Sequence, residues 1–494
     1  MAERYDVVIV GAGNAAFCAA LAANQQGARV LMLEKAPRER SGGNSFFTAG
    51  AFRVAYGTLD TARPLLDEPL SDEQADRIDL PAYTEADFLT DMRRLTHGRC
   101  DPDLTAALVG DSFDTVRWLR ECGIRWELMY VRQSFAVGDR IRFWGGLALG
   151  VRDGGTGLIQ QHTRAAAAGG VEVRYASPVV GLRRAGDGRI EGVVVRDVAG
   201  EAEIEAAAVV LACGGFESNP RQRAQYLGPN WDIARVRGTE FNTGEGLAMA
   251  LEAGAQAYGH WSGCHAVFWD AGAPPSGDWE LTNRLSKLSY PLGVIVNADG
   301  RRFVDEGADF RNYTYARYGA EVLRQPGAIA YQLFDAKTEP LLRQDEYRAP
   351  GATRVQAESI RELGQALGLP LETFEATIDA FNAAVLPGTF DLSSKDGKRT
   401  LGIVPPKSNW AQRLDSPPFV AYPVTCGVTF TFGGVRIDTA GRVLDGDNRP
   451  IPGLYAAGEL VGGLFYHNYP GGSGLMAGSV FGRRAGTTAA SESR

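Results

Sequence analysis

The sequence predicts an α/β protein: a doubly wound, Rossmann-like parallel sheet, interrupted by an inserted α+β body and closed by the carboxyl-terminal segment. Three observations carry that expectation. Tyr5 to Ala16, YDVVIVGAGNAA, sets a glycine turn between a β-branched apolar run and a helical stretch. Glu34 ends the next apolar run, close to the ~20 residues past the glycines at which such domains carry a ribose-binding carboxylate. Glycine-rich stretches of the same style return at residues 423–434, after a central segment richer in Trp, Tyr, Pro and charge.

Taken in order, residues 7–10 read as a buried parallel strand and residues 15–25 as the helix behind it. Gly11 permits the tight turn. Gly13 lets backbone approach a pyrophosphate held by the N–H groups and dipole of the helix start, where Asn14 and Ala15 stand. Ala16 occupies the place where a third glycine is common. The strand at 28–33 delivers Glu34, followed by Lys35, and a carboxylate there accepts from both ribose hydroxyls. The bound group should be an adenosine diphosphate without a 2′-phosphate.

Ser41-Gly-Gly43-Asn44-Ser45 combines a glycine pair with small amide and hydroxyl side chains, which lets backbone approach a flat ring system. Residues 60–80 read as a surface excursion, and helical periodicity returns at 85–96 and 104–122. Gly154-Gly-Thr-Gly157 opens a helix at 158–168, and residues 171–175, 179–184 and 190–197 read as strands of a small antiparallel layer. A buried strand from Ala208 stops at Gly214-Gly215, a second backbone approach to the bound group, and Thr243-Gly-Glu245-Gly246 precedes a helix at 247–253. The central segment offers a short strand at 294–297 and helices at 357–367 and 371–384. Gly453 to Gly458-Glu459 then gives a strand and turn, and Gly471-Gly-Ser473-Gly474-Leu475 opens a closing helix to about Ala489. The expected layout is residues 1–257 and 425–494 in one domain and 258–424 in the insertion, a discontinuous arrangement whose cleft suits a small molecule.

The chain has 494 residues, 45% hydrophobic and 22% charged, which is ordinary for a globular protein of two or three domains. A net charge of -8 without a long Lys/Arg block excludes nucleic acid as an expected partner. No apolar run reaches the ~18 residues of a membrane span and no signal peptide precedes Tyr5, so the expected compartment is the cytoplasm. The six cysteines lack CxxC or CxxCH spacing, which leaves iron–sulfur, zinc and c-type haem sites unsupported and no metal expected.

YDVVIVGAGNAA, Glu34, SGGNS at 41–45, AVVLACGGF at 208–216, TGEG at 243–246, GLYAAGE at 453–459 and GGSGL at 471–475 together resemble the fumarate reductase and succinate dehydrogenase flavoprotein superfamily, which includes the ketosteroid dehydrogenases. The resemblance runs from Tyr5 to the closing helix. It implies FAD bound in a glutathione-reductase-type domain, under a capping domain that shuts over the flavin. It places Glu34 at the adenosine ribose, Asn44 and Ser45 at the flavin, and Glu459 at ribityl or ribose hydroxyls, with Ser473, Gly474 and Leu475 turning N–H groups toward the flavin C2 oxygen. Members with covalent flavin carry a histidine close to SGGNS, so non-covalent FAD is implied here. The stretches at 290–316, 426–434 and 468–474 are most similar to the tricarballylate dehydrogenases, which convert a propane tricarboxylate to cis-aconitate, a pattern shared with flavoproteins of cobalamin synthesis.

Removing hydrogens from adjacent carbons requires a proton acceptor on one face of the substrate and the flavin N5 on the other. In the reductases an arginine carries the proton. The resemblance puts Arg311 in that role, one residue further from Glu306 than expected, with Tyr313 and Tyr315 in reserve because ketosteroid dehydrogenases use a tyrosine. His265 falls beside the position of a carboxylate-binding histidine. Phe430 stands where fumarate reductases carry a second histidine and Tyr469 where they clamp substrate with arginine, while Ser286 and Ser289 lie near their relay glutamate and arginine. A polyanionic substrate would draw its counter-charge from Arg53, Arg284, Lys287 and Arg311, with Thr429, Asn468 and Tyr469 as further hydrogen-bonding groups. The expected reaction is α,β-dehydrogenation of a carboxylic acid, with tricarballylate as the named substrate. The alternatives are a neutral ketosteroid-like enone, because Phe430 and Tyr469 make that side less cationic, or fumarate/succinate-type chemistry. Electrons should leave to a separate acceptor: a quinone-linked or iron–sulfur protein, or oxygen.

Overall fold

A computed structural model describes residues 3–144, 146–197 and 200–494. The chain forms two compact units, the first made of Met1–Gly228, Gly238–Cys264 and Phe430–Arg494, the second of Pro229–Arg237 and His265–Thr429.

The first unit is built on an eight-stranded sheet. Arg4–Val10 runs parallel to Val30–Leu33 on one side and to the end of Gly200–Leu211 on the other, so that Val8 faces Leu31 and Val209 in register. Val7, Val8 and Ile9 are wholly buried, which is why this strand reads as an unbroken apolar run rather than an alternating one. Glu172–Arg174 joins beside Val30–Leu33, and Pro450–Ala456 beside Gly200–Leu211, both parallel. The first of these corrects the expected antiparallel layer: the strand follows the helix Gly154–Ala168, and such a crossover returns it parallel. The layer itself is Val179–Arg184, Ile190–Asp197 and the start of Gly200–Leu211.

Two further differences have local causes. The helix expected at 104–122 breaks into Pro102–Gly110 and Ser112–Glu121, and Ser112 Oγ donates to the Val109 carbonyl at 2.8 Å across the break. The helix expected from Ala357 starts as Ile360–Leu367, because Ser359 caps it through the N–H of Glu362 at 3.2 Å while Ala357 ends a strand. The closing helix, Ser473–Glu492, lies on the first helix, Asn14–Gln25, almost backbone to backbone. A Cβ added at Gly482 would stand 2.5 Å from the Ala15 carbonyl oxygen, and one at Gly486 would stand 2.1 Å from that of Ala19.

The second unit is organised by a six-stranded sheet around Phe419–Val435, which pairs antiparallel with Ala330–Phe334 and Val355–Ala357 and parallel with Arg235–Val236. That last pairing takes Pro229–Arg237, expected within the first domain, into the second unit, because Arg235 finds its ladder partner in Gly427. The expected boundaries at 258 and 424 also move. The chain changes unit inside two long strands, Ala257–Asp270 and Phe419–Val435, at Cys264/His265 and Thr429/Phe430, where composition gives no signal. The helix Leu371–Ala384 buries Phe374, Ile378 and Phe381 against Val294, Val296, Leu333 and Ala421. Truncating one such phenylalanine to alanine would cost about 3–5 kcal/mol. Among the described residues no helix is long and apolar enough to cross a membrane.

Candidate functional site

Gly11, Gly214 and Gly458 follow the carboxyl ends of the parallel strands Arg4–Val10, Gly200–Leu211 and Pro450–Ala456, each at positive φ, at the usual place for a ligand in such a sheet. Gly11 has φ +110°, and a Cβ there would stand 2.6 Å from the Ala212 carbonyl oxygen, so this glycine is required by the fold itself. Gly13 has φ -82°, and its Cβ would meet Ser45 Oγ only at 3.6 Å. A Cβ there would make only ordinary contacts, the other being with the Gly42 carbonyl oxygen at 3.7 Å, so the fold itself does not require this glycine. The helix beginning at Asn14 has no side-chain cap and no acid in its first turn. The N–H of Asn14 donates to Ser45 Oγ at 3.0 Å, while the N–H groups of Ala15 and Ala16 belong to the first turn, which has no intrahelical partners. Glu34 is buried, accepts from the Ala36 N–H at 2.7 Å, and is pushed above the usual carboxylate range chiefly by that burial. Ribose hydroxyls donating to it would offset that cost. A glycine that the fold itself does not require, first-turn N–H groups without intrahelical partners and a buried carboxylate fit an adenosine diphosphate.

Several of the expected cofactor residues also make internal ties. Asn14 Nδ2 donates to the Leu475 carbonyl at 2.9 Å and to Ser479 Oγ at 3.0 Å, which locks the first helix to the last. Asn44 spans Glu217 Oε1, to which its Nδ2 donates at 2.6 Å, and the N–H of Thr239, which it accepts at 2.9 Å. Lys35 Nζ pairs with Glu245 at 2.7 Å, joining the ends of two elements at the edge of the site. Ser473 gives both its N–H and its hydroxyl to the Pro470 carbonyl, at 3.1 and 2.7 Å, leaving Gly474 and Leu475 as the first-turn N–H groups of the closing helix. Gly214, Gly215 and Gly458 admit close neighbours: a Cβ on Gly215 would overlap Glu459 Oε1 at 2.2 Å, one on Gly214 the Asn242 amide at 2.5 Å, and one on Gly458 the Ala15 Cβ at 2.8 Å. Gly43, at φ +53°, has open space around it.

Next to the closing helix stands an aromatic group. Phe430 meets Tyr469 edge-on at 5.1 Å between centroids, and Phe465 packs on both at 5.8 and 5.4 Å. A Cβ on Gly474 would lie 3.6 Å from the Phe430 ring and 3.9 Å from that of Tyr469.

The second unit holds a polar group that sequence reading identified only in part. His265 is buried and meets the Tyr315 ring edge-on at 4.8 Å. Burial first, and the positive charge of Arg237 second, hold its imidazole well below the usual histidine range, so it is neutral. Arg237, also buried, donates from Nη1 to Thr429 Oγ1 at 3.1 Å. Arg311 opens the 3-10 turn Arg311–Tyr313, half-buried, with Tyr313 buried at its end. Sequence reading missed Arg237, whose surroundings, RVRGTEF, look like a loop; the one available signal was a cation shortly before the TGEG turn.

Three expected substrate cations have protein partners of their own. Arg53 is sealed in the first unit, with Nε 2.8 Å from the Gly471 carbonyl and Nη1 2.7 Å from Tyr83 Oη and 3.4 Å from Asp91. Lys287 is sealed in the second, 3.3 Å from the equally buried Asp270 and bonded to the Glu346 carbonyl at 3.1 Å. Arg284 is exposed and turns back on the carbonyls of Glu280 and Leu281. In each case packing decided the partner of the charge. Among the described residues no cluster of His, Cys, Asp and Glu could hold a metal ion.

A family model described as an FAD binding domain matches residues 6–475. The chain is 29% identical over 490 residues to a probable fumarate reductase of Shewanella frigidimarina, covering 99% of this chain and 75% of that protein. It is 26% identical over 567 residues to a 3-oxosteroid 1-dehydrogenase of Mycolicibacterium smegmatis, covering 96% and 95%. Among solved structures, the open conformation of a flavocytochrome c3 fumarate reductase superposes with a TM-score of 0.74 at 28% identity, over 99% of this chain and 79% of that one.

Proposed function

The chain belongs to the FAD binding domain family and is an FAD-dependent oxidoreductase acting on CH–CH groups; from that premise we propose that it desaturates a polycarboxylate beside a carboxyl group, with tricarballylate as the named substrate and cis-aconitate as product. The observation that carries this reading is the buried Arg237 guanidinium, bonded to Thr429 beside a neutral His265. A guanidinium held by packing presents a planar fork matched to a carboxylate, and a neutral imidazole adds one N–H donor. Arg237 then supplies a clamping charge of the kind that Tyr469 cannot. Bound FAD supplies the two-electron acceptor. Arg311 takes the proton as the neutral guanidine, which requires a dry site that disfavours its charged form, with Tyr315 as the second candidate because its ring meets His265. Reoxidation falls to a separate acceptor, a quinone-linked or iron–sulfur protein or oxygen.

Anaerobic mixing of the yellow holoprotein with tricarballylate, succinate and a 3-oxosteroid tests the proposal, with flavin bleaching as the signal. Bleaching by tricarballylate supports it. Bleaching by the steroid alone selects the second reading, a neutral enone substrate, which the Phe430–Tyr469 aromatic group and the 3-oxosteroid 1-dehydrogenase relative favour.

A further inference from the structure

Glu217 follows the Gly214-Gly215 pair and is completely buried in the first unit. Its Oε1 accepts two hydrogen bonds, from Asn44 Nδ2 and Asn242 Nδ2, each 2.6 Å long. Its Oε2 is equally buried and receives no donor. Within hydrogen-bonding reach lies the carboxyl of Glu459, which follows the neighbouring parallel strand Pro450–Ala456 and is only half-buried. The pairing of Val209 with Leu454 brings both acids to the same end of the sheet. Glu459 Oε1 already accepts from the N–H and the hydroxyl of Thr431, at 2.7 and 3.0 Å.

Two carboxylates in contact inside a protein cannot both stay ionised, because desolvation and mutual repulsion drive a proton onto one of them. The hydrogen bonds decide which one. Burial raises both carboxyls, but Glu459 has donors suited to the ionised form and is the partly open member of the pair. Glu217 Oε2 has no donor, so a proton there removes the orphaned oxygen and gives Glu459 a third hydrogen bond. We propose that Glu217 is a neutral acid at physiological pH that donates to Glu459 and so keeps Glu459 ionised and aimed as the acceptor for hydroxyl groups of FAD. Burial, and after it the charge of Glu459, push Glu217 well above the ordinary carboxylate range. The other charged group against it, Arg223, donates to the main-chain carbonyl of Glu217 rather than to its carboxyl, so it does not supply the missing donor. Glu217 is thus a positioning residue for the cofactor site. The inference rests on FAD binding and not on the identity of the substrate.

Glu217→Gln is the matched variant, since its carbonyl can accept from both asparagines while its amide donates to Glu459 with no proton to lose. Infrared difference spectra of the holoprotein at neutral pH should show the carbonyl stretch of a protonated side-chain acid that is absent from Glu217→Gln. Wild-type FAD affinity should fall as pH rises through the titration of this acid, approaching about tenfold per pH unit, while Glu217→Gln keeps its flavin over the same range. Glu217→Ala, which strands two amides, serves as the control for a purely structural loss and should bind FAD weakly at every pH. The proposal is overturned if the wild type lacks the acid band, if the wild-type and Glu217→Gln alkaline profiles coincide, or if a folded Glu217→Gln loses FAD at neutral pH as readily as Glu217→Ala.

Discussion

The backbone N–H of Asn14 donates to Ser45 Oγ across 3.0 Å, which joins the glycine turn after the first strand to the end of the loop that follows the second. The Asn14 side chain carries the same tie onward, to Leu475 and Ser479 on the closing helix and to His162 Nε2 at 3.0 Å. The start of the first helix is thereby fixed by segments from both ends of the chain.

Gly11 and Gly13 should separate under substitution. Gly13→Ala meets only ordinary contacts at an allowed φ, so the apoprotein should melt as wild type does while its flavin occupancy collapses, because the added methyl occupies the approach to the pyrophosphate. Gly11→Ala meets a carbonyl oxygen at 2.6 Å at φ +110° and should lose about 1–3 kcal/mol of stability whether or not FAD is present. Thermal melting together with flavin counted in the supernatant after acid precipitation decides both; wild-type protein should release all of its FAD there. Full occupancy in Gly13→Ala would show that the turn has another use.

His162 gives the first unit an acid limit. It is fully buried, stacked on Phe17 at 5.3 Å, and burial pushes its pKa down to about 3. An unfolded histidine titrates near ~6.5. Between these values the unfolded chain binds the extra proton, so this contribution to stability is complete above about pH 6.5 and is lost as pH falls toward about 3, at up to ~1.4 kcal/mol per unit. His162→Gln keeps a donor for Asn14 and should flatten the decline. Denaturant unfolding of both proteins between about pH 6.5 and 4 reads the difference, which cancels the carboxylates common to the two; parallel curves would refute this account.

The glycine turn and the strand that ends at Glu34 were legible because their pattern is local: strand, glycines, helix and acid follow one another within a single βαβ unit. Burial and pairing of charges are not local. Arg53 reads like any cation near a cleft, and only the fold reveals that Tyr83, Asp91 and Gly471 surround it. Lys287 likewise answers Asp270. Arg237 and Glu217 escaped for the converse reason: each looks like a polar loop residue until a distant segment, Thr429 for one and Asn44 with Glu459 for the other, gives it an environment. The unit boundaries were misplaced because the chain crosses in mid-strand.

Arg311→Lys tests the proton acceptor. The substitution keeps the charge but loses the planar fork, so FAD should remain bound while substrate-driven bleaching slows at least about a hundredfold, the scale of a lost acid–base group. Tyr315→Phe, run alongside, should slow bleaching far less. If the tyrosine variant is the slow one, the role passes to Tyr315, the residue whose ring meets His265.

Substrate charge is tested at Arg237. A buried carboxylate without a partner costs several kcal/mol, so a site with a single clamping guanidinium should accept some carboxylates and refuse others. Tricarballylate should reduce the flavin at least about tenfold faster than succinate, a barrier difference of only ~1.4 kcal/mol. Arg237→Gln should remove that preference by weakening tricarballylate binding, seen as a raised KM, and should leave any reaction with a neutral 3-oxosteroid unchanged. It also withdraws a positive charge from His265, which is held down first by burial and second by Arg237, so the imidazole should titrate closer to the ordinary ~6.5, a shift readable by NMR without substrate. The two readouts can part company. A His265 that moves while tricarballylate KM does not would keep Arg237 beside the histidine but remove it from the substrate site, and the neutral-enone reading would then stand.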